Sequence, residues 1–184
     1  PFQLEIYPAN GENIMFTMDG SEPTAEHGIL YENPIQIDTT TVFRAVSVDY
    51  GSTSMVATSS YIFPEKVKNQ PENPEGYPTS WGSFSQIDGT APADYEMDPS
   101  ICNHELYRDL IVPSLTSIPS ISISTNKDNL FSHSTDPVSG GIYIHTDPPT
   151  GGLGEDWERP ASAEYIHPDG RPGFQIDCGI RIHG

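Results

Sequence analysis

Three small sets of residues have the types and spacing to do chemistry. Asp147 lies within a glycine-rich stretch, residues 146–154, and Glu155 and Asp156 directly follow it. Carboxylates beside a pliant loop can ligate Ca²⁺, which takes oxygen donors in a flexible shell; the same three can equally be solvated charges. Cys102 and Cys178 are the two cysteines. A bridge between them would close a long loop and contribute about 4 kcal/mol in the chain-entropy account; unpaired, they are two thiols, one of them buried in a strand. Trp81 and Trp157 could each offer a ring face to a sugar, or fill an interior at a module boundary.

No complete catalytic set accompanies them. The sequence holds no glycine-rich phosphate cradle and no Gly-x-Ser-x-Gly elbow. The six histidines (His27, His104, His133, His145, His167 and His183) have no close zinc-type spacing, and the cysteines lie too far apart for a Cys-x-x-Cys site. Lys127 is the only lysine after Lys68, so a lysine-based phosphate site has little to draw on.

Charge narrows the partners. The chain has 8 Lys and Arg against 26 Asp and Glu, a formal net charge of −18. That balance disfavours nucleic acid, whose phosphates need a basic surface, and disfavours anionic membranes equally. No run of about 18 apolar residues exists to span a bilayer. Sixteen Gly and 18 Pro, with many Ser, Thr, Tyr and Asn, fit an extracellular β-protein. Pro1-Phe-Gln-Leu opens in mid-strand and Gly184 follows a strand directly, so the expectation is a chain cut partway through a domain.

The elements that must position these residues are mostly strands. Leu4–Tyr7, Ile14–Met18, Val42–Val48 and Met55–Phe63 read as short strands, separated by turn signals at Asn10-Gly11, Asp19-Gly20, Asn33-Pro34 and Tyr50-Gly51. In the third, Val42, Arg44 and Val46 alternate with Phe43 and Ala45. This predicts a small β-sandwich over residues 1–63. Residues 64–97, punctuated by prolines, read as a linker lying extended across a neighbouring surface, pinned by Tyr77, Trp81 and Tyr95. Residues 98–184 read as a β-rich α+β segment that is an incomplete domain. Within it, Asp98–Val112 is the helix candidate, with Asp98 as N-cap, Pro99 in the first turn, and Ile101, Leu106, Leu110 and Ile111 as its buried stripe. Ile118–Ser124 and Gly141–Ile144 are further strands. Ser162–Ile166 and Phe174–Ile182 form a hairpin about the turn His167-Pro168-Asp169-Gly170.

Two resemblances follow. Phe16-Thr-Met-Asp-Gly-Ser-Glu-Pro-Thr24, Leu30-Tyr31, Pro34-Ile35 and Thr41-Val-Phe-Arg-Ala-Val-Ser-Val-Asp-Tyr-Gly51 resemble the chitobiase/β-hexosaminidase C-terminal type module, over about residues 3–62. The resemblance implies an immunoglobulin-like or fibronectin-III-like sandwich of the kind appended to secreted bacterial proteins. The Asp-Gly-Ser-x-Pro-Thr motif itself reads as structural, with Asp19-Gly20 making a turn and Ser21 bonding locally. Trp157-Glu-Arg-Pro-Ala-Ser, His167-Pro-Asp-Gly, Gly173-Phe-Gln-Ile and Gly179-Ile-Arg-Ile-His-Gly, with Ile118–Ile123 and Asp128–Phe131 upstream, resemble the opening of the spore-coat CotH-type kinase domain, over roughly residues 77–184. In that family the nucleotide and metal ligands lie beyond the motifs present here, so the resemblance implies no catalytic residue and no cofactor on these positions.

The reading that results is a non-enzymatic extracellular or cell-surface module (the periplasm being the other compartment it allows). It would belong to a larger bacterial surface or secreted protein, with protein partners or polysaccharide. The alternatives are the leading part of a CotH-type kinase and a carbohydrate-binding module using Trp81, Trp157 or exposed tyrosines.

Overall fold

Residues 41–48 carry a run of alternating residues that are apolar on one face and mixed on the other, and both faces are largely buried in the folded chain. The computed structural model describes residues 1–8, 12–50, 52–82, 89–134, 136, 138–142 and 155–182. It is mainly β and falls into two compact units, one of residues 1–61 with 119–184 and one of residues 62–118.

In the first unit, β1 (Phe2–Leu4) pairs antiparallel with β4 (Ile35–Ile37). Opposite them lies a larger antiparallel sheet. There β5 (Thr41–Asp49) pairs with β2 (Asn13–Thr17), β6 (Ser52–Thr53) and β7 (Ala57–Tyr61), and β2 pairs with β3 (Ile29–Leu30). The alternation of β5 turns Phe43 and Ala45 into one core with Ile14 and Phe16, and Leu4, Ile6, Tyr31, Ile35 and Tyr61 close over it. Phe16 and Phe43 stack at 5.3 Å. Burying side chains of this size stabilises by about 1.5–3 kcal/mol each, which is what a small sandwich depends on.

The motif turn is consumed by its own fold. Ser21 donates to Asp19 Oδ1 from its backbone N–H at 3.0 Å and again from its hydroxyl, and Gly20 takes φ 82°, which suits a residue without Cβ. The Gly20 carbonyl accepts from Arg44 Nη1 at 3.2 Å. Thr24 Oγ1 accepts the N–H groups of Glu26 and His27. Burial of Asp19 would raise its pKa, but the two hydrogen bonds from Ser21, one from its own N–H and the nearby His27 together hold it below its ordinary value.

The rest of the first unit is built on a three-stranded antiparallel sheet, β10 (Ser120–Ser124), β11 (Arg159–Ile166) and β12 (Phe174–Ile180), in that order. The expected hairpin is there, with residues 167–173 as its loop. The polarity of the sheet is the reverse of the sandwich's. Ser122, Glu164 and Gln175 lie abreast on one face, as do Ser124, Ser162 and Asp177. On that face Ser162, Ser124 and Glu164 are buried. The other face carries Ile121, Ile123, Phe174 and Ile176, all more than half exposed. Helix α4 (Lys127–Phe131), a single turn, follows β10. Of the expected strand Gly141–Ile144, Tyr143 and Ile144 lie outside the described residues.

The second unit holds α1 (Pro64–Lys68), the two-stranded pair β8 (Ser80–Gly82) and β9 (Ala91–Pro92), α2 (Pro99–Cys102) and α3 (Ile111–Leu115). The long helix expected over Asp98–Val112 does not form. Its start is as read: Asp98 Oδ1 accepts the Ser100 N–H at 2.8 Å and Pro99 opens the first turn. It stops at Cys102 because side chains there compete for the backbone. Asn103 Nδ2 bonds back to the Pro99 carbonyl at 2.9 Å, and His104 Nδ1 takes the Leu106 N–H at 3.1 Å. Ile101, Leu106 and Leu110 are consequently exposed and form no buried stripe. Helix resumes at Ile111 with Pro113 third in line, where its missing N–H is one that a first turn leaves unpaired in any case.

Candidate functional site

Strand β7 ends the sandwich, and its polar side chains meet the polar face of the second sheet. The Ser60 N–H donates to Glu164 Oε1 at 3.1 Å, and the Ser60 hydroxyl bonds Glu164 Oε2 and lies 2.7 Å from the Ser122 hydroxyl. A buried carboxylate is tolerated only where such donors meet it. Beside this seam opens a cleft of about 400 Å³, within the usual range for small-ligand sites. Its walls come from β7 and from the β11–β12 hairpin with its loop.

The lining combines rings with hydrogen-bonding groups. Tyr61, Tyr165 and Phe174 supply the aromatic surface, and Thr58, Ser60, Glu164, His167, Arg171 and Gln175 the polar groups. Tyr165 and Phe174 stack nearly coplanar, 5.5 Å apart at 7°, and His167 meets Tyr165 edge-on at 4.8 Å. Burial raises the Tyr61 pKa; a hydrogen bond with Ser59 opposes this and the charge of Glu164 adds to it. Two polar atoms of lining residues are buried without a hydrogen-bond partner, Thr58 Oγ1 and His167 Nδ1. Gly173 lets the hairpin loop close on β11, since a Cβ there would overlap the Tyr165 carbonyl.

The residues singled out from sequence are dispersed. Trp157 is 8% exposed, with the Arg159 guanidinium 5.7 Å from its ring centroid, and a Cβ on Gly140 would collide with its ring. The structure thus places Trp157 in the interior. Arg159 is itself held by the carbonyls of Gly140, Asp156 and Glu158. Trp81 is half-buried in the second unit, 5.2 Å from Tyr95, which meets Tyr77 edge-on at 5.6 Å. The three aromatic anchors therefore pin each other, and Tyr95 Oη adds a bond to the Pro78 carbonyl at 3.0 Å. Cys102 is a buried thiol and Cys178 a half-buried one. Asp147 and the side chain of Glu155 lie outside the described residues, and Asp156 is exposed. Among the described residues no three His, Cys, Asp or Glu side chains gather as a cation site.

Sequence reasoning missed Ser60, Ser122 and Glu164. The strict Ser-Ile-Ser-Ile-Ser of residues 120–124 announced a two-faced strand but not which face turns inward. Glu164, two residues from Ser162, shared the polar face by parity alone.

Comparison with known proteins is limited to the sandwich. No curated protein and no solved structure matches the chain. Nothing in the comparisons supports the resemblance of residues 77–184 to the CotH-type opening. Residues 2–60 match the family model described as Chitobiase/beta-hexosaminidase C-terminal domain, which bears out the resemblance read from the Asp-Gly-Ser-Glu-Pro-Thr turn and the strand that follows it.

Proposed function

We propose that this chain is a non-enzymatic binding or structural module of a larger extracellular or cell-surface protein, organised as a sandwich, a proline-rich connection and a further β-rich segment. The observation that carries the reading is how the sandwich spends its polar chemistry. Asp19, Ser21, Thr24 and His27 bond to one another or to their own turn. Glu164 is fixed by Ser60. Groups so occupied hold a fold and are poorly placed to attack a substrate. The family model matched over residues 2–60 is described as a C-terminal domain of chitobiase/beta-hexosaminidase. The acidic composition supports an extracellular setting, and no helix among the described residues is long and apolar enough to cross a membrane.

Assays of the purified chain test it. No turnover of nitrophenyl N-acetylglucosaminide and no Mg²⁺-dependent transfer of phosphate from ATP is expected. Turnover of either, lost on substitution of a carboxylate, contradicts the reading.

A further inference from the structure

Arg44 is only 5% exposed, yet its charge is unpaired. Its Nη1 donates to the Gly20 carbonyl at 3.2 Å. Its Nε is buried without a partner, and Nη2 has none among the described residues. No carboxylate among the described residues lies within ion-pair distance of the guanidinium. Burying a cation is costly unless hydrogen bonds and a counter-charge meet it. What is left over is the Nε–Nη2 edge, two parallel N–H donors whose spacing matches the two oxygens of a carboxylate.

The strands aim this group at a cavity. β5 turns Phe43 and Ala45 into the sandwich core, so Arg44 leaves the opposite face, beside Thr58 of β7. Ser60, two residues on from Thr58, meets Glu164 from that same face. On the facing sheet Gln175 lies abreast of Glu164, and Asp177, two residues further, shares its inward face. Between the two faces is a cavity of about 190 Å³ whose lining includes Arg44, Asp177, Glu22, Val56 and Pro160. Asp177 and Glu22 are exposed. Asp177 Oδ1 accepts from Gln175 Nε2 at 3.1 Å, which leaves Oδ2 for a ligand. Glu22 is fixed through its backbone N–H, which donates to Asn126 Oδ1 at 2.8 Å, so its carboxylate stays outside that bond.

Charge and size select the ligand. A plain anion meets two carboxylates on a chain of −18, and a plain cation meets Arg44. A molecule with a carboxylate and an ammonium on one carbon satisfies both signs. The gap beyond ion-pair reach between Arg44 and the two carboxylates is the room such a pair of charges needs. At the roughly 30 Å³ that each water occupies in the liquid, a cavity of about 190 Å³ takes on the order of six heavy atoms, the size of glycine, alanine or serine. We infer that this cavity binds a small free α-amino acid as its zwitterion, with the carboxylate on the Nε–Nη2 edge of Arg44 and the ammonium against Asp177 and Glu22. Val56 and Pro160 form the apolar wall for a short side chain. This goes beyond the module reading and does not depend on it.

The test is titration of the intact, isotope-labelled chain with alanine, followed through its amide NMR signals. Acetate and methylammonium, each carrying one half of the ligand's charge, are the controls. Alanine should shift amides around the cavity and bind at least tenfold tighter than either control. Glu22→Gln combined with Asp177→Asn changes exposed side chains and keeps the fold. It should weaken alanine at least tenfold while strengthening acetate, opposite changes that a loss of structure would not give. Arg44→Lys keeps the charge but removes the fork, and should also weaken alanine at least tenfold; Arg44 being buried, the exposed pair carries the test where this variant does not fold. Acetate bound as tightly as alanine, alanine binding unchanged in the exposed double variant, or no amide shift with alanine, the cavity then holding water only, each overturns the assignment. The assays for hydrolysis and phosphate transfer judge the module reading separately.

Discussion

The sandwich of β1–β7 and the sheet of β10–β12 are both antiparallel and both alternate, yet they bury opposite kinds of side chain. In the sandwich Phe16 and Phe43 go in. In the second sheet Ser124, Ser162 and Glu164 go in, while Ile121, Ile123, Phe174 and Ile176 face out. Alternation of period two fixes which residues share a face; it does not fix which face is covered. Hydrogen bonding decides that in the second sheet, where Ser60 and Glu164 join it to the sandwich's last strand.

The difference predicts unequal sensitivity to substitution. The largest effect is Phe43→Ala, which opens a cavity beside Phe16 and should cost about 3–5 kcal/mol in urea unfolding. Gly173→Ala comes next. Its methyl meets the Tyr165 carbonyl, and the forced shift should cost about 1–3 kcal/mol, read as a lower melting temperature with loss of protection in the 167–173 loop. Ile123→Thr, on the outward face, should fall within about 0.5 kcal/mol of the parent. A loss comparable to that of Phe43→Ala would mean the apolar face is covered and the contrast is wrong.

Acid supplies the smallest effect. Asp19 has a folded pKa below its ordinary value, so its contribution is present above the unfolded pKa and is lost as pH falls through the folded one. The advantage of the parent over Asp19→Asn should hold above the ordinary aspartate pKa of about 3.9 and shrink as pH falls below it. Because Asp19 is mostly exposed, solvent screening keeps the difference small. An advantage that grows with acidification would reverse the assignment.

These contrasts also show what the sequence could disclose. The sandwich was legible because its signals are local: the Asp-Gly-Ser-Glu-Pro-Thr turn and the alternation of Val42–Val48 need no distant partner. The hairpin over residues 159–180 was legible for the same reason. The helix at Asp98 was half legible. Its cap is a local bond to Ser100, but its end depends on Asn103 and His104 competing for the backbone, which periodicity does not register. The cleft was not legible at all. Ser60 and Glu164 are far apart in sequence, and neither belongs to a motif; only the packing of β7 against a later sheet brings them together. The tryptophans drew attention by type, yet Trp157 is interior and Trp81 packs on Tyr95.

The joining of the two regions through Ser60 and Glu164 is tested most directly by a double-mutant cycle. Ser60→Ala, Glu164→Gln and the double variant would be compared with the parent by urea unfolding of the whole chain. Residues sharing a hydrogen bond couple by about 0.5–3 kcal/mol, and the buried, charge-assisted pair should lie at or above about 1 kcal/mol. Additive losses, with coupling below about 0.3 kcal/mol, would show that the two sheets are not held by this seam and would contradict the account.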